Sequence, residues 1–208
     1  MSLPNVTTYS IIAGNANLLA SVGAIGPASF TLATTTLDAG RRVLITAIGN
    51  ESANTFVISG LNAAGFPIAE SIAGPNATTT QTNLDFKVVT SIRNLAANAN
   101  TVSFGTYSTG STLWNIMNWH VSPVNIEVSG VQVGTQGVTW TVQYTYDDPN
   151  NLPAGVQFPQ PFNHPTLVNQ TGSLDGPIND PITAVRLYMS GGTGTVRFTV
   201  IQAGIGSP

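Results

Sequence analysis

Residues 138–146 read Val-Thr-Trp-Thr-Val-Gln-Tyr-Thr-Tyr, and this stretch decides the fold class. Large apolar side chains alternate with Thr and Gln, which is the period-two pattern of a half-buried β-strand. The face that we expect to line a core consists of Val138, Trp140, Val142 and Tyr144. The face that we expect to meet solvent or a partner consists of Thr139, Thr141, Gln143 and Thr145.

The same chemistry recurs along the whole chain. β-Branched and aromatic runs alternate with turn residues such as Gly60–Gly65 and Gly74–Asn76, at a spacing of about ten residues. In the first half, the candidate strands are Val43–Ile48, Thr55–Ser59, Pro67–Ile72, Phe86–Ile92 and Thr101–Tyr107. Many short strands separated by turn chemistry predict an all-β sandwich or barrel.

A short pattern occurs twice in the sequence. The first copy joins residues 89–93 (Val-Thr-Ser-Ile-Arg) to residues 101–104 (Thr-Val-Ser-Phe). The second joins residues 182–186 (Ile-Thr-Ala-Val-Arg) to residues 195–198 (Thr-Val-Arg-Phe). We interpret each copy as a β-hairpin that carries one arginine, and the glycines after Met189 suit the turn of the second. Duplication would explain the repeat, and coincidence in a Thr-rich chain is the alternative.

The composition changes near residues 107–112, where small residues form a linker. We therefore predict two tandem antiparallel β-sandwich domains, Ig-like or jelly-roll-like, at residues 1–109 and 110–208, and duplication is one explanation for them. The second contains a long Pro- and Asn-rich loop, residues 147–171, and loops of that length are usually functional or docked on a partner. The first begins with a segment that carries no charged side chain through Leu37, which we expect to be a docking arm.

Charge is scarce. Only 7% of the residues are charged and the net charge is −3, against roughly 25% charged residues in an ordinary soluble domain. Such a surface repels its neighbours weakly, which favours a protein packed in an assembly, and we expect a homo-oligomer, with a trimer as the first choice. The scattered arginines and the single lysine, Lys87, disfavour nucleic acid. The apolar run Leu18–Phe30 is broken by glycines and is too short for a membrane span, so no membrane partner is expected.

No pattern of catalytic residues stands out. The chain has no cysteine and two histidines, His120 and His164. It has no nucleophile elbow, phosphate-binding loop or dinucleotide fingerprint. We therefore predict a protein that is not an enzyme, with no catalytic residue and no cofactor.

One turn could hold a metal ion. Asp147, Asp148 and Asn150 supply the hard oxygen ligands that Ca²⁺ prefers. The spacing is not that of an EF-hand, and Asp-Asp-Pro-Asn is equally good turn chemistry because these side chains cap their own backbone. We favour the turn, and keep the metal site as the weaker hypothesis.

The tryptophans Trp114, Trp119 and Trp140 are candidates for binding. Their indole faces could stack on sugar rings. Large aromatic side chains more often fill the core between sheets, which is the interpretation that we favour.

Several stretches resemble structural proteins of tailed bacteriophages. They are Gly60–Gly65, Glu70–Asn76, Phe86–Ile92, Tyr144–Pro149, His164–Leu167 and Gly194–Gly204. The resemblance covers most of residues 40–204 and rests on strand and turn chemistry. It implies a virion component and carries no catalytic residue to transfer. Within the particle it leaves capsid decoration, tail or fibre, and head–tail junction open.

The leading functional hypothesis is a capsid decoration protein. It would bridge neighbouring subunits of the major capsid protein, or of other virion proteins, through many weak contacts. The alternative is a module of a phage tail or fibre that binds carbohydrate or another host-surface molecule through its tryptophans.

Overall fold

The structure is a computed structural model that describes residues 4–23, 25–118, 125–134, 137–156 and 158–203. In these ranges every regular element is a β-strand, so the all-β prediction is confirmed, and no helix is present that could cross a membrane. The strands are β1 Asn5–Ile11, β2 Asn15–Val22, β3 Thr36–Ala47, β4 Thr55–Leu61, β5 Pro67–Ala73, β6 Thr79–Gln81, β7 Phe86–Asn94, β8 Val102–Ser111, β9 Asn115–Ile116, β10 Asn125–Val133, β11 Val138–Thr145, β12 Phe162–Asn163, β13 Leu174–Ile178, β14 Ala184–Gly192 and β15 Gly194–Ala203.

The chain forms two compact units. The continuous unit is Ala13–Gly110, and the discontinuous unit combines Met1–Ile12 with Ser111–Pro208. The sequence placed residues 1–12 in the first domain, and this is wrong. Strand β1 pairs antiparallel with β15, from Asn5 opposite Val200 to Ile11 opposite Gly194, so the first strand belongs with the last. Because β1 and β2 are both built into sheets, the segment through Leu37 is not a free docking arm.

The continuous unit is built around β3. The first part of this strand pairs with β7 and its second part with β6 and β8, with register shifts on either side of Arg41. Strands β4 and β5 extend the sheet beyond β7, and β2 pairs with β8. Alternate side chains of β2, β3, β4, β7 and β8 enclose one apolar core. The rings of Phe30, Phe56 and Phe104 meet in its middle, with centroids 4.9–6.3 Å apart.

The discontinuous unit is a sandwich of two antiparallel layers. One layer is a four-stranded sheet in the order β1-β15-β10-β13. The other holds β12, β11 and β14 side by side, with β9 on β14. Gly130 of the first layer faces Trp140 of the second, and a Cβ at that glycine would collide with the indole ring. The residue at 130 must therefore be small for the two layers to close on each other.

The prediction of two Arg-bearing hairpins is wrong. Strands β14 and β15 are consecutive, but they lie in different layers, so the glycine-rich connection is an arch between layers rather than a hairpin turn. Gly192 has φ +84° and lies so close to the Gly137 carbonyl that no side chain fits there. In the first copy, β3 lies between β7 and β8. The two arginines also differ, since Arg93 is exposed and Arg186 is buried. Period-two alternation predicts a strand but does not specify its partner.

Candidate functional site

Trp140 is a core residue. Its side chain is fully buried, and its indole Nε1 donates a hydrogen bond to the Gly172 carbonyl at 2.9 Å. The core interpretation of this tryptophan is confirmed, and the sugar platform is wrong at this position because neither indole face is open.

Trp114 stands over a buried arginine. The guanidinium carbon of Arg186 lies 4.4 Å from the centroid of the half-buried Trp114 ring, which is a cation–π contact. The same guanidinium donates to Gln143 Oε1 and Ser111 Oγ, each at 3.0 Å. One face of this indole is therefore occupied from within the protein. The remaining candidate, Trp119, and His120 beside it lie outside the described residues.

The Thr face of β11 is not a solvent face. Thr141, Gln143 and Thr145 are all buried, which corrects the prediction that they are exposed, and Tyr144, predicted to be core, is only half-buried. Each buried polar side chain has a partner. Thr141 Oγ1 accepts from the Asn169 N–H at 2.9 Å, and Gln143 Nε2 donates to Asn163 Oδ1 at 3.1 Å. Asn163 and Asn169 of the long loop thus supply two of the partners, and the Asp147 N–H donates to Thr145 Oγ1 at 3.1 Å.

His164 fixes that half of the loop. The ring is buried, and its Nδ1 accepts from the backbone N–H of Thr166 at 3.2 Å and of Leu167 at 3.1 Å. Because Nδ1 accepts, Nε2 carries the proton and donates to the Pro177 carbonyl at 3.1 Å. Both ring nitrogens are thus engaged in holding the loop, which leaves neither for a metal ion.

The Asp147–Asn151 turn is held by its own side chains. Asp148 Oδ1 accepts from the Asn150 N–H at 2.9 Å, and the Asp148 carbonyl accepts from the Asn151 N–H at 3.0 Å. Asp147 Oδ2 accepts from the Gln160 N–H at 2.7 Å. Within the described ranges, no three His, Cys, Asp or Glu side chains come together as a metal-binding group. The geometry is that of an Asx turn.

An aromatic cluster lies at the end of β11. The rings of Tyr144 and Phe162 stack with an interplanar angle of 22° and centroids 5.9 Å apart. Tyr146 meets both edge-on, at 5.7 Å from Tyr144 and 5.5 Å from Phe162. Tyr146 is 52% exposed and Phe162 is 43% exposed. We call these three side chains the aromatic platform.

The tyrosines of the platform interact electrostatically. Partial burial, the neighbouring Tyr144 and the Asp180 carboxylate together raise the pKa of Tyr146 above its usual 10.0. The phenol is therefore neutral in ordinary buffers, and its hydroxyl can both donate and accept hydrogen bonds.

A cavity of about 490 Å³ opens in the first half of the long loop. Its lining combines apolar side chains with a carboxylate and an amide, from Asp147, Pro153, Gly155, Val156, Phe158 and Gln160. The hydrogen bond between Asp147 and Gln160 closes the loop at its two ends. Asp147 follows Tyr146 directly, and Gln160 lies two residues before Phe162, so the cavity and the platform share the same two chain segments.

A second surface covers the outside of the four-stranded sheet. Short hydroxyl side chains from three adjacent strands point away from the core there, namely Thr8, Ser10, Ser129, Thr195 and Thr199. Ser10 Oγ and Thr195 Oγ1 lie 2.9 Å apart across the pair of strands. Valines, Ile201 and the charged side chains of Arg197 and Glu127 lie between these residues in register, and Asp175 of β13 lies opposite Ser129. We call this surface the hydroxyl face.

Sequence analysis missed the aromatic platform. The strand pattern showed that Tyr144 and Tyr146 share a face, but it placed Tyr144 in the core. The third ring comes from β12, where Phe162 pairs with Tyr144 across a long loop. No local pattern predicts that pairing.

Comparisons with known proteins assign no family to this chain. No family model and no curated protein matches the chain. One similar solved structure is a "putative secreted protein" from Parabacteroides distasonis ATCC 8503, with 10% sequence identity and a TM-score of 0.24. The alignment covers 98% of this chain and 90% of that one. Similarity at this level carries no argument about the function of the chain.

Proposed function

We propose that the chain is a non-enzymatic structural component of a tailed-phage particle, a decoration protein that bridges neighbouring subunits of the capsid. The observation that carries this proposal is the hydroxyl face, read together with the scarcity of charge and the resemblance to phage structural proteins. A sheet face rich in Thr, Ser and Val offers many weak contacts. Such short side chains lose little rotamer entropy on burial, and among the described residues of this face the partner has to pair only three charged side chains, Glu127, Asp175 and Arg197.

The size of the face favours several copies acting together. Four strands spaced about 4.8 Å apart, each about seven residues long at about 3.4 Å per residue, span roughly 450 Å². A standard stable interface buries about 800 Å² on each partner. A single copy would therefore hold weakly. A homo-oligomer, such as a trimer on a local symmetry axis, would multiply the contact and bridge subunits of the shell.

The proposal is tested first by location. Antibodies against the chain should label the capsid surface of purified particles of the phage that encodes it, seen by electron microscopy. Label at the tail tip would place the protein in a fibre instead. Intact particles without the protein would contradict the proposal altogether.

The role of the hydroxyl face is tested by adding charge to it. A Thr8→Lys, Thr199→Lys double variant should fold normally but lose co-sedimentation with particles that lack the protein, because two ammonium groups would have to be desolvated in the contact. Ser71→Lys, at an exposed position on β5, is the matched control and should still bind. Equal binding by both variants would contradict docking through this face.

A further inference from the structure

The aromatic platform is a cluster of three rings, two of which, Tyr146 and Phe162, are exposed. Its three rings come from two chain segments fixed by strand pairing, with Tyr144 directly opposite Phe162. Since pairing and mutual stacking hold the rings, little conformational entropy is lost when a ligand covers them. The platform is thus preorganised for a partner that stacks an apolar face on one exposed ring.

The cavity beside the platform supplies polar groups. Asp147 and Gln160 line it together with Val156 and Phe158, so a ligand would meet hydrogen-bonding groups and apolar walls in the same place. Its volume of about 490 Å³ falls in the range of sites for small molecules, which is about 300–1,000 Å³. A ligand that combines a flat apolar face with a rim of hydroxyl groups matches this pairing of rings and polar groups.

Charge narrows the class of ligand. The sequence contains no Lys or Arg from residue 94 to residue 185, a stretch that includes the whole platform and cavity. The charged groups nearby in sequence are the carboxylates Asp147, Asp148 and Asp180. Phosphate esters and other anions are recognised through Arg, Lys or helix N-termini, so they are disfavoured here.

The geometry of the rings narrows the class of ligand further. A quaternary ammonium group is bound inside a cage of aromatic rings that stand apart around the cation. Here the rings contact one another, at centroid separations of 5.5–5.9 Å, and leave no space between them. Tyr146 and Phe162 remain 52% and 43% exposed, which leaves ring surface for stacking on a pyranose ring.

We propose that the aromatic platform and the adjoining cavity form a binding site for a neutral saccharide. One sugar ring stacks on Tyr146 and contacts Phe162 from the side, and the next unit of the saccharide enters the cavity, where Asp147 accepts hydrogen bonds from its hydroxyl groups. The site is independent of the hydroxyl face. It replaces the tryptophans as the place where this chain would meet carbohydrate.

Binding is tested on the full chain with maltotriose, cellotriose, chitotriose and polysaccharide extracted from the host cell surface, by saturation-transfer NMR and isothermal titration calorimetry. At least one of these probes should bind saturably, with transfer to aromatic protons. Tyr146→Ala should weaken that binding about five- to tenfold, the effect of losing one aromatic partner. Tyr146→Phe should retain most of it, because the ring face is kept.

The matched control is Phe66→Ala. Phe66 is 66% exposed and lies in the continuous unit, so it removes an equally accessible ring from elsewhere. Equal weakening by Phe66→Ala would overturn the location of the site. Absence of binding to every probe would overturn the site itself. Saturable binding of phosphocholine or of a proline-rich peptide in place of sugar would overturn the class of ligand.

The test of saccharide binding can be separated from the test of capsid decoration. Tyr146→Ala should still co-sediment with particles, whereas the Thr8→Lys, Thr199→Lys variant should still bind sugar. Sugar binding without particle binding would support the saccharide site and contradict decoration, and the opposite result would do the reverse.

Discussion

Two loops, one in each unit, are held in different ways. In the continuous unit, the buried Glu70 carboxylate accepts hydrogen bonds from the backbone N–H groups of Asn83 and Leu84 at 2.8–2.9 Å. In the discontinuous unit, the segment from Asp147 to Gln160 is closed at its ends by one carboxylate–amide contact and surrounds a cavity. A loop whose backbone bonds to a buried acid of a neighbouring strand becomes part of the scaffold. A loop tied at its ends keeps room for a ligand.

The largest effect should come from the anchor that joins the two layers of the discontinuous unit. Trp140→Ala should lower the free energy of unfolding by about 3–5 kcal/mol, through lost burial and the cavity left behind. Urea denaturation followed by circular dichroism measures it. Trp114→Ala is the control and should cost clearly less, because that ring is only half-buried. Equal costs would mean that burial does not distinguish the two tryptophans.

The scaffold role of Glu70 predicts the next effect. Glu70→Ala should lower the free energy of unfolding by roughly 2–3 kcal/mol, because it leaves the N–H groups of Asn83 and Leu84 without their acceptor. Amide hydrogen exchange at these two residues should accelerate. Glu127→Ala removes an exposed carboxylate and should stay within about 0.5 kcal/mol of the parent. If the Glu70 variant were as stable as the Glu127 variant, the claim that Glu70 holds its loop as part of the scaffold would be contradicted.

A smaller effect is expected at the tip of the β4–β5 connection. Asn62 Oδ1 accepts from the N–H groups of Ala64 at 2.9 Å and Phe66 at 3.0 Å, in an exposed turn. Asn62→Ala should therefore cost about 1 kcal/mol in thermal unfolding. Asn151→Ala is the matched control, since Asn151 joins its turn through its backbone N–H. A larger loss at Asn151 would show that the long loop is the more tightly held.

The fold class could be predicted from sequence because alternation is a local property. Residues 138–146 and the C-terminal strands showed their period of two directly, and the structure has strands at both places. The predicted strand pairing was wrong. Strands β14 and β15 follow each other with one residue between them, yet they lie in opposite layers. Which strand lies beside which depends on the closure of the whole core, and that information is spread over the chain.

The prediction that the polar face of β11 is exposed was wrong for a related reason. Thr141 and Gln143 looked like solvent-facing residues because nothing near them in sequence covers them. The cover comes from the loop after Phe162, which bonds to Thr141 through Asn169 and to Gln143 through Asn163. The same distant pairing brings Phe162 to Tyr144 and creates the aromatic platform. A Thr-rich strand face therefore predicts hydrogen-bonding capacity, and the partner can equally be water or protein.

The smallest expected effect concerns metal. Ca²⁺ takes six to eight oxygen ligands, but Asp148 Oδ1 and Asp147 Oδ2 already accept backbone hydrogen bonds within their own loop. We therefore expect the melting temperature to be the same, within about 1 °C, after dialysis against a chelator and after addition of 1 mM Ca²⁺. A site with a Kd of 1 μM would instead stabilise the fold by about 4 kcal/mol at that concentration, which is a shift of many degrees. If Ca²⁺ raised the melting temperature in this way and Asp148→Asn abolished the rise, the Asx-turn interpretation would be contradicted. The loop would then be ordered by a metal ion. An unchanged melting temperature in both proteins would leave the Asp147–Gln160 contact as the closure of the cavity.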